Sequence, residues 1–305
     1  MKKRVLLICI AVLLILIAIG LVIYPAISNK LDQEHQSYIL TEYDEQVKKL
    51  DTSNIDQLWA EAERYNASLG AIQLHYIDEI IEDENYYRLL NINQSGLMCH
   101  VEIPKIDANL PVYHGTSNAV LSIGIGHLQG SALPIGGEGN HSVMTGHSGV
   151  AGKKLFSDLD KVSVGDVFYI HILGKTLAYQ VEAINIVLPH EAELLAAVPG
   201  KDLCTLITCT PYAVNTHRLL VTGSRIPYEE AQKVEEEVKK QTQEEPVKST
   251  WEENYIKYLE YLGIAIGAFL VLFFGFIIIK NKRDKKKEEQ KKAMRREESG
   301  QSSEE

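Results

Sequence analysis

Three side chains in this 305-residue chain are suited to nucleophilic chemistry: Cys209, His147 and Arg218. Cys209 lies in the run Thr205-Leu206-Ile207-Thr208-Cys209-Thr210-Pro211-Tyr212. Strand alternation puts Thr205, Ile207 and Cys209 on one face and Cys204, Leu206 and Thr208 on the other. Pro211 cannot donate to a strand ladder and Asn215 favours a turn, so the strand is predicted to end near Cys209, where a substrate can reach the thiol. A following strand that begins near Arg218 would return antiparallel and set its guanidinium beside the sulfur. A thiol nucleophile also needs a proton partner. Of the ten histidines, His147 stands out. It follows the apolar stretch Ser142–Thr145 within Thr145-Gly146-His147-Ser148-Gly149, and its glycines leave room for close approach. His127 is a weaker candidate of the same type, and His217 falls on the opposite side of its strand from Arg218. Taken alone, each of these signals is weak, because isolated histidines and cysteines are more often structural.

The remaining cysteines sharpen the choice. Cys9 sits in an apolar run, while Cys99 and Cys204 fall at strand positions where a small apolar side chain belongs in a core. Cys99, Cys204 and Cys209 make an odd number, so at least one of them has no intramolecular partner. Whether Cys99 and Cys204 pair depends on strand register, which sequence leaves open. No C-x₂-C pair and no H-x₃-H pair accompanies the cysteines, so no metal is expected. Gly136-Gly137-Glu138-Gly139 lacks the Lys-Ser/Thr of a phosphate loop, and no cofactor is expected.

The elements that must position these residues are bracketed by two apolar runs. Val5–Ile23 and Leu262–Ile279 are each long enough to span a bilayer as a helix. Lys2, Lys3 and Arg4 precede the first, and Lys280, Lys282 and Arg283 follow the second. The positive-inside rule therefore predicts both termini in the cytoplasm and the intervening chain outside. The first run exceeds a signal-peptide h-region, and Ala26-Ile27-Ser28 imitates a cleavage site only weakly, which favours an uncleaved anchor. The net charge is −10; setting aside the basic N-terminus and residues 280–305 leaves 18 basic and 34 acidic side chains, a net of −16. Nucleic acid is thus excluded as a partner, and the membrane is the expected one.

Between the runs, Leu31–Leu50 has helical spacing. A second helix carrying Ile55, Leu58, Trp59, Ala62 and Tyr65 is predicted to start at a Ser53/Asp56 capping pair. A third helix is expected over about Ile77–Leu90. From Leu97 the pattern changes to short strands: Val101–Ile106, Ser142–Thr145, Val167–Leu173, Leu177–Leu188, Cys204–Thr208 and Leu219–Arg225. Leu173-Gly174-Lys175-Thr176 reads as a hairpin turn. Such a series implies a β-barrel or sandwich of about 130 residues. Tyr228–Ser249, rich in Glu, Lys and Gln, reads as a solvated helix or linker. The expected organisation is therefore an N-terminus at 1–4, an anchor at 5–23, a helical region at 24–96, a β-domain at 97–227, a polar linker or helix at 228–260, a membrane helix at 261–279 and a basic tail at 280–305.

At this point the residues match a family. Thr205-Leu206-Ile207-Thr208-Cys209 is similar to the T-L-x-T-C signature of sortases. The likeness continues in chain order through Glu102–Ile106, Leu110–Thr116, Gly126-His127-Leu128, Leu133–Gly137, Thr145-Gly146-His147, Lys154–Asp160 and Asn215–Val221. Together with the N-terminal helices and the second anchor, it resembles the class C, pilus-assembly group. The resemblance implies a mainly β fold, an eight-stranded sortase-type β-barrel with N-terminal helices and two flanking transmembrane helices. It implies a cysteine transpeptidase with Cys209 as nucleophile, His147 as general acid/base and Arg218 as oxyanion or substrate stabiliser. The implied partners are pilin subunits bearing an L-P-x-T-G-like sorting signal, joined through a lysine amine. Attachment of surface proteins to the cell wall is the alternative within the same chemistry, and a non-catalytic membrane scaffold is the alternative outside it. The sequence departs from the family in places. Ser148 stands where Arg commonly follows the histidine, and Cys99 and Cys204 replace a common glycine and an aliphatic residue. The class C lid tripeptide, Asp-Pro-aromatic, has no counterpart in Ser68-Leu69-Gly70-Ala71-Ile72-Gln73, which leaves Tyr76, Tyr86 or Tyr87 as substitutes to cover the cysteine.

Overall fold

A computed structural model of the chain describes residues 2–69, 84–150, 152–244 and 249–301. The chain divides into two compact units, one made of Met1–Val22 with Asn254–Glu305 and the other of Ile23–Glu253. The first unit contains the apolar parts of helices α1 (Lys2–Lys49) and α6 (Thr250–Gln301), both long and apolar enough to cross a membrane. Pro25 lies inside α1 and has no N–H to give to the carbonyl four residues earlier. That carbonyl, Leu21 O, instead accepts from Tyr258 Oη at 3.4 Å, and the next, Val22 O, accepts from Tyr255 Oη at 2.6 Å.

The second unit is built on a closed barrel. Its strands are β1 (Leu97–Ile103), β2 (Ala108–His114), β3 (Ile125–His127), β4 (His141–Thr145), β5 (Val167–Ile172), β6 (Lys175–Val187), β7 (Leu203–Thr210) and β8 (His217–Ile226). They close in the order β1-β2-β3-β4-β7-β8-β6-β5. Two pairings are parallel, β2 with β3 and β4 with β7, and the others are antiparallel. The barrel interior is filled by alternate residues of these strands, among them Val101, Ile103, Val112, Met144, Phe168, Ile170, Tyr179, Cys204, Leu206 and Val221. The β5–β6 turn is the expected tight hairpin. Ile172 pairs with Lys175, and both connecting residues, Leu173 and Gly174, have positive φ, as a two-residue turn matched to strand twist requires.

Several elements differ from the sequence expectation. The first strand begins at Leu97, and Pro104–Ile106 is a 3₁₀ turn rather than its continuation, since the proline cannot donate to a neighbour. β2, which contains Pro111, and the three-residue β3 carry too little alternation to be read locally. Helix α2 (Thr52–Leu69) starts from Asp51, whose Oδ1 accepts the Asn54 N–H at 2.7 Å; the cap is therefore Asp51, not Ser53. Only α3 (Glu84–Arg88) represents the third helix, the earlier part of the predicted span lying outside the described residues. Tyr228–Glu244 is a helix, α5, one of the two expected forms, but it is not wholly solvated. Its Ala231 is fully buried with Val167, Tyr169 and Ala178, and Tyr169 Oη donates to Glu235 at 2.7 Å.

The end of α1 is tied to the barrel by Tyr43, which is 2% exposed. Its hydroxyl donates to Met98 O at 2.8 Å and accepts the Leu173 N–H at 3.2 Å. Burial pushes its ionisation upward, so it stays a neutral phenol that can serve both roles. Tyr43→Phe should leave both backbone groups without this partner and lower unfolding stability by about 1–3 kcal/mol. Denaturant unfolding of the full chain in detergent measures it, and an unchanged midpoint would contradict the clamp.

Candidate active site

Strand β7 carries the candidate nucleophile because it lies between two neighbours of opposite sense. Its inner face, Cys204 and Leu206, is fully buried in the barrel interior. Its outer face starts with Thr205, whose Oγ1 meets His141 Nε2 at 2.7 Å and Thr222 Oγ1 at 2.8 Å. Ile207 follows, packed with Leu128, Val143, Leu220 and the Ala192 and Leu195 side chains of the β6–β7 connection. The alternation then places Cys209 on the outer face, half-buried, where the covering segment ends. The strand runs one residue beyond the expected end, to Thr210. None of the four cysteines is in a disulfide. Cys99 and Cys204 share the barrel core, and burial pushes both thiols well above their ordinary range, which makes them inert.

The antiparallel register sets Cys209 directly opposite Arg218. Directly paired residues project their side chains from the same face, with Cβ atoms about 4.5–5.5 Å apart. The β7–β8 turn reinforces this arrangement. Pro211 O accepts the N–H groups of Val214 and Asn215, both at 3.0 Å, and Ala213 and Asn215 take positive φ. Arg218 Nη1 donates back to Asn215 O and His217 O at 3.3 Å, which holds the guanidinium over the turn.

On the other side, β4 runs parallel to β7 with Thr145 level with Ile207. The contact continues past the strand: Gly146 N–H donates to Ile207 O at 3.0 Å, and Thr208 Oγ1 donates to Gly146 O at 2.7 Å. The chain leaves the strand after Thr145, and His147 follows two residues later in the loop beside this end of β7. The flanking glycines have packing reasons. A Cβ on Gly146 would lie 2.5 Å from Ile125 Cδ1 and 2.7 Å from Phe156, and one on Gly149, whose φ is +77°, would lie 2.9 Å from Ala213 N. The His147 loop thus rests on the turn that follows Cys209. It is closed on itself by Phe156 N–H to His147 O at 3.1 Å and by Gly149 N–H to Ser157 Oγ at 3.1 Å. The His147 ring is half-buried, and desolvation holds its pKa below the usual imidazole value, favouring the neutral form.

Cys209, Arg218 and the loop bearing His147 lie at one end of β7; of the rival histidines His127 is committed elsewhere, while His217 pairs with Thr210 at this same end. His127 is fully buried, with Nδ1 2.9 Å from Tyr86 Oη and Nε2 2.9 Å from Ala132 O, and burial lowers its pKa to about 4. His217 lies beside Thr216 Oγ1 at 2.9 Å. Tyr86, one of the residues named as a substitute lid, is also fully buried. Its hydroxyl accepts Gly115 N–H at 2.9 Å and lies 3.1 Å from His127 O, so it secures α3 to β2 and β3 instead of covering a thiol. Tyr87 packs edge-on against Tyr86 and is 42% exposed. Tyr76 and most of the window beginning at Ser68 lie outside the described residues. Among the described residues no cluster of three or more His, Cys, Asp or Glu side chains has metal-binding geometry.

Comparison with known proteins bears on the family and the fold. The family model for the sortase domain matches residues 101–226. Sortase C-1 from Streptococcus pneumoniae is 41% identical, with a TM-score of 0.57 over 63% of this chain and 99% of that structure. The pilus-related sortase C of Group B Streptococcus is 44% identical, with a TM-score of 0.58 over 62% of this chain and 97% of that structure. Sortase A of Streptococcus agalactiae serotype III (strain NEM316) is 34% identical over 125 residues, a stretch that spans 40% of this chain and about half, 49%, of that relative. A closed eight-stranded barrel with the T-L-x-T-C strand at its centre, matched along almost the whole length of solved sortase C chains, places this protein in the sortase family, among the class C sortases.

Proposed function

We propose that this chain is a membrane-anchored cysteine transpeptidase that cuts an L-P-x-T-G-like sorting signal between Thr and Gly and joins the new carboxyl end to a lysine amine of a pilin subunit. The observation that carries this reading is the registration of Cys209 opposite Arg218, with the loop that bears His147 bonded to β7 through Gly146 and packed through Gly149 on the turn after Cys209. In this scheme the Cys209 thiolate attacks the Thr carbonyl carbon. The tetrahedral oxyanion is stabilised by the Arg218 guanidinium, a permanent cation. His147 in its imidazolium form donates a proton to the leaving glycine amine as the C–N bond breaks, leaving a thioester on Cys209. The incoming lysine amine then gives a proton to neutral His147 as it attacks, and the thiolate departs. An imidazole with a lowered pKa gives up its proton readily in the first half and is neutral by default for the second. Exposed Leu188, Leu194 and Val198 on the β6–β7 connection offer apolar contact for the Leu-Pro end of such a signal. The two long apolar helices fit anchors that leave the barrel outside the cell, with both termini in the cytoplasm.

Cys209→Ala should abolish formation of a thioester with an L-P-x-T-G peptide, read by intact-protein mass spectrometry, whereas Cys204→Ala should retain it. If the wild-type chain in detergent acylates with no such peptide, the proposal fails. Offering a lysine-bearing pilin segment against a cell-wall amine then decides the acceptor, faster resolution by the wall amine favouring surface-protein attachment.

The His147 ring should titrate below its ordinary value of 6.5 in the folded protein, because the half-buried site disfavours the cation. The folded pKa is depressed below the unfolded one, so this group contributes stability above pH 6.5 that is lost as pH falls through the folded pKa. NMR of the imidazole carbons measures the midpoint, and a value at or above 6.5 would contradict the desolvated environment.

A further inference from the structure

The loop that carries His147 ends at a buried carboxylate that the chemistry above does not use. Asp158 is 2% exposed. A buried carboxylate persists only where donors surround it. Here Lys154 Nζ lies 3.0 Å from Oδ2. Ser249 Oγ donates to Oδ1 at 2.9 Å, and Trp251 N–H donates to the same oxygen at 3.2 Å. The last two donors belong to the N-terminus of α6. Ser249 occupies the cap position there, its Oγ accepting the Glu252 N–H at 3.3 Å and its carbonyl accepting the Glu253 N–H at 2.9 Å. A carboxylate at a helix N-terminus also meets the positive end of the helix dipole. Alongside, Thr250 Oγ1 donates to both oxygens of Asp160, at 2.9 and 3.0 Å. The residues leading into the second apolar helix are therefore fastened to residues 158–160.

That fastening is a short step from His147. Phe156 and Ser157, directly before Asp158, are the residues that bond the His147 carbonyl and the Gly149 N–H. The middle of the same loop is fastened to α1. Lys153 Nζ pairs with Asp32 at 2.6 Å, and Lys154 N–H donates to Asn29 Oδ1 at 2.9 Å. The Asp158 charge also adds to burial in raising the Tyr212 pKa.

Resting on the assignment of His147 as the acid/base, we propose that Asp158 is a positioning residue: the N-terminal turn of α6, bound to its carboxylate, holds the His147 loop at catalytic distance from Cys209. The residues preceding the second membrane helix are thereby part of the working site and not only a tether. A displacement of about 1 Å in a reacting group can cost on the order of a hundredfold in rate. The Ser249→Ala/Thr250→Val double variant removes two hydroxyl donors from the α6 side without changing any loop residue.

In the full chain in lipid nanodiscs, this variant should lower kcat for sorting-peptide turnover about ten- to hundredfold with little change in KM. It should also speed amide exchange at Phe156 and Gly149, while protection of the buried Cys99 and Cys204 from iodoacetamide shows that the barrel remains folded. Ser249→Thr, which keeps a hydroxyl, should restore turnover in a Ser249→Ala comparison. Wild-type kcat and unchanged exchange in the double variant, with His147→Ala inactive, would overturn the positioning role alone. An active His147→Ala would overturn the acid/base assignment and this inference with it. A lower melting temperature with kcat intact would likewise reduce Asp158 to a structural contact and overturn the proposal.

Discussion

The register of strand β7 is the constraint on which the rest of the candidate site depends. A strand with a parallel neighbour on one side and an antiparallel neighbour on the other can slip against neither without breaking both ladders. A shift of one residue would exchange Cys204 and Cys209 between core and surface, forcing Leu203 or Thr205 into the small apolar site of Cys204 and burying the Cys209 thiol. The side-chain bonds of Thr205 to His141 and Thr222, and of Thr208 to Gly146 O, pin that register at two points. The thiol position is therefore a consequence of barrel packing several residues away.

The three chemistry-bearing groups come from two paired strands and one loop, and each is placed first by backbone contacts, the Arg218 guanidinium being held further by its bonds to Asn215 O and His217 O. Arg218 is placed by pairing and by a turn whose positive-φ residues fold the chain back. His147 is placed by a loop closed on its own carbonyl and packed through Gly149 on the turn after Cys209. A site built this way is rigid where the strands pair. It can be adjusted where the loop is fastened, and the fastening points are the buried Asp158 and the Lys153–Asp32 pair.

The helical elements divide into those that seal the barrel and those that carry the two long apolar segments. Tyr43 and Tyr86 each insert a neutral phenol into the barrel wall and satisfy backbone groups there. The burial of Tyr86 changes its role from a candidate cover to a structural pin, because a hydroxyl committed to Gly115 and His127 is not available over the thiol.

Much of this was legible from local residues. The alternation through Cys204–Cys209 separates the core cysteine from the half-buried one on the outer face because strand parity is a local property. The two apolar runs declare membrane-length helices by hydrophobicity alone. The positive-φ pair Leu173-Gly174 marks its hairpin because turn geometry is decided by two adjacent residues. Asp51 was missed as the cap because Ser53 offers an equally good local pattern, and only the Asn54 N–H distance distinguishes them. β2 and β3 were missed because they exist through pairing, not propensity. Which histidine stands beside Cys209, whether Cys99 and Cys204 bridge, and what surrounds Asp158 are decided by contacts between residues as far as 93 positions apart. Those contacts follow from barrel closure and helix docking, which no single segment of the sequence encodes.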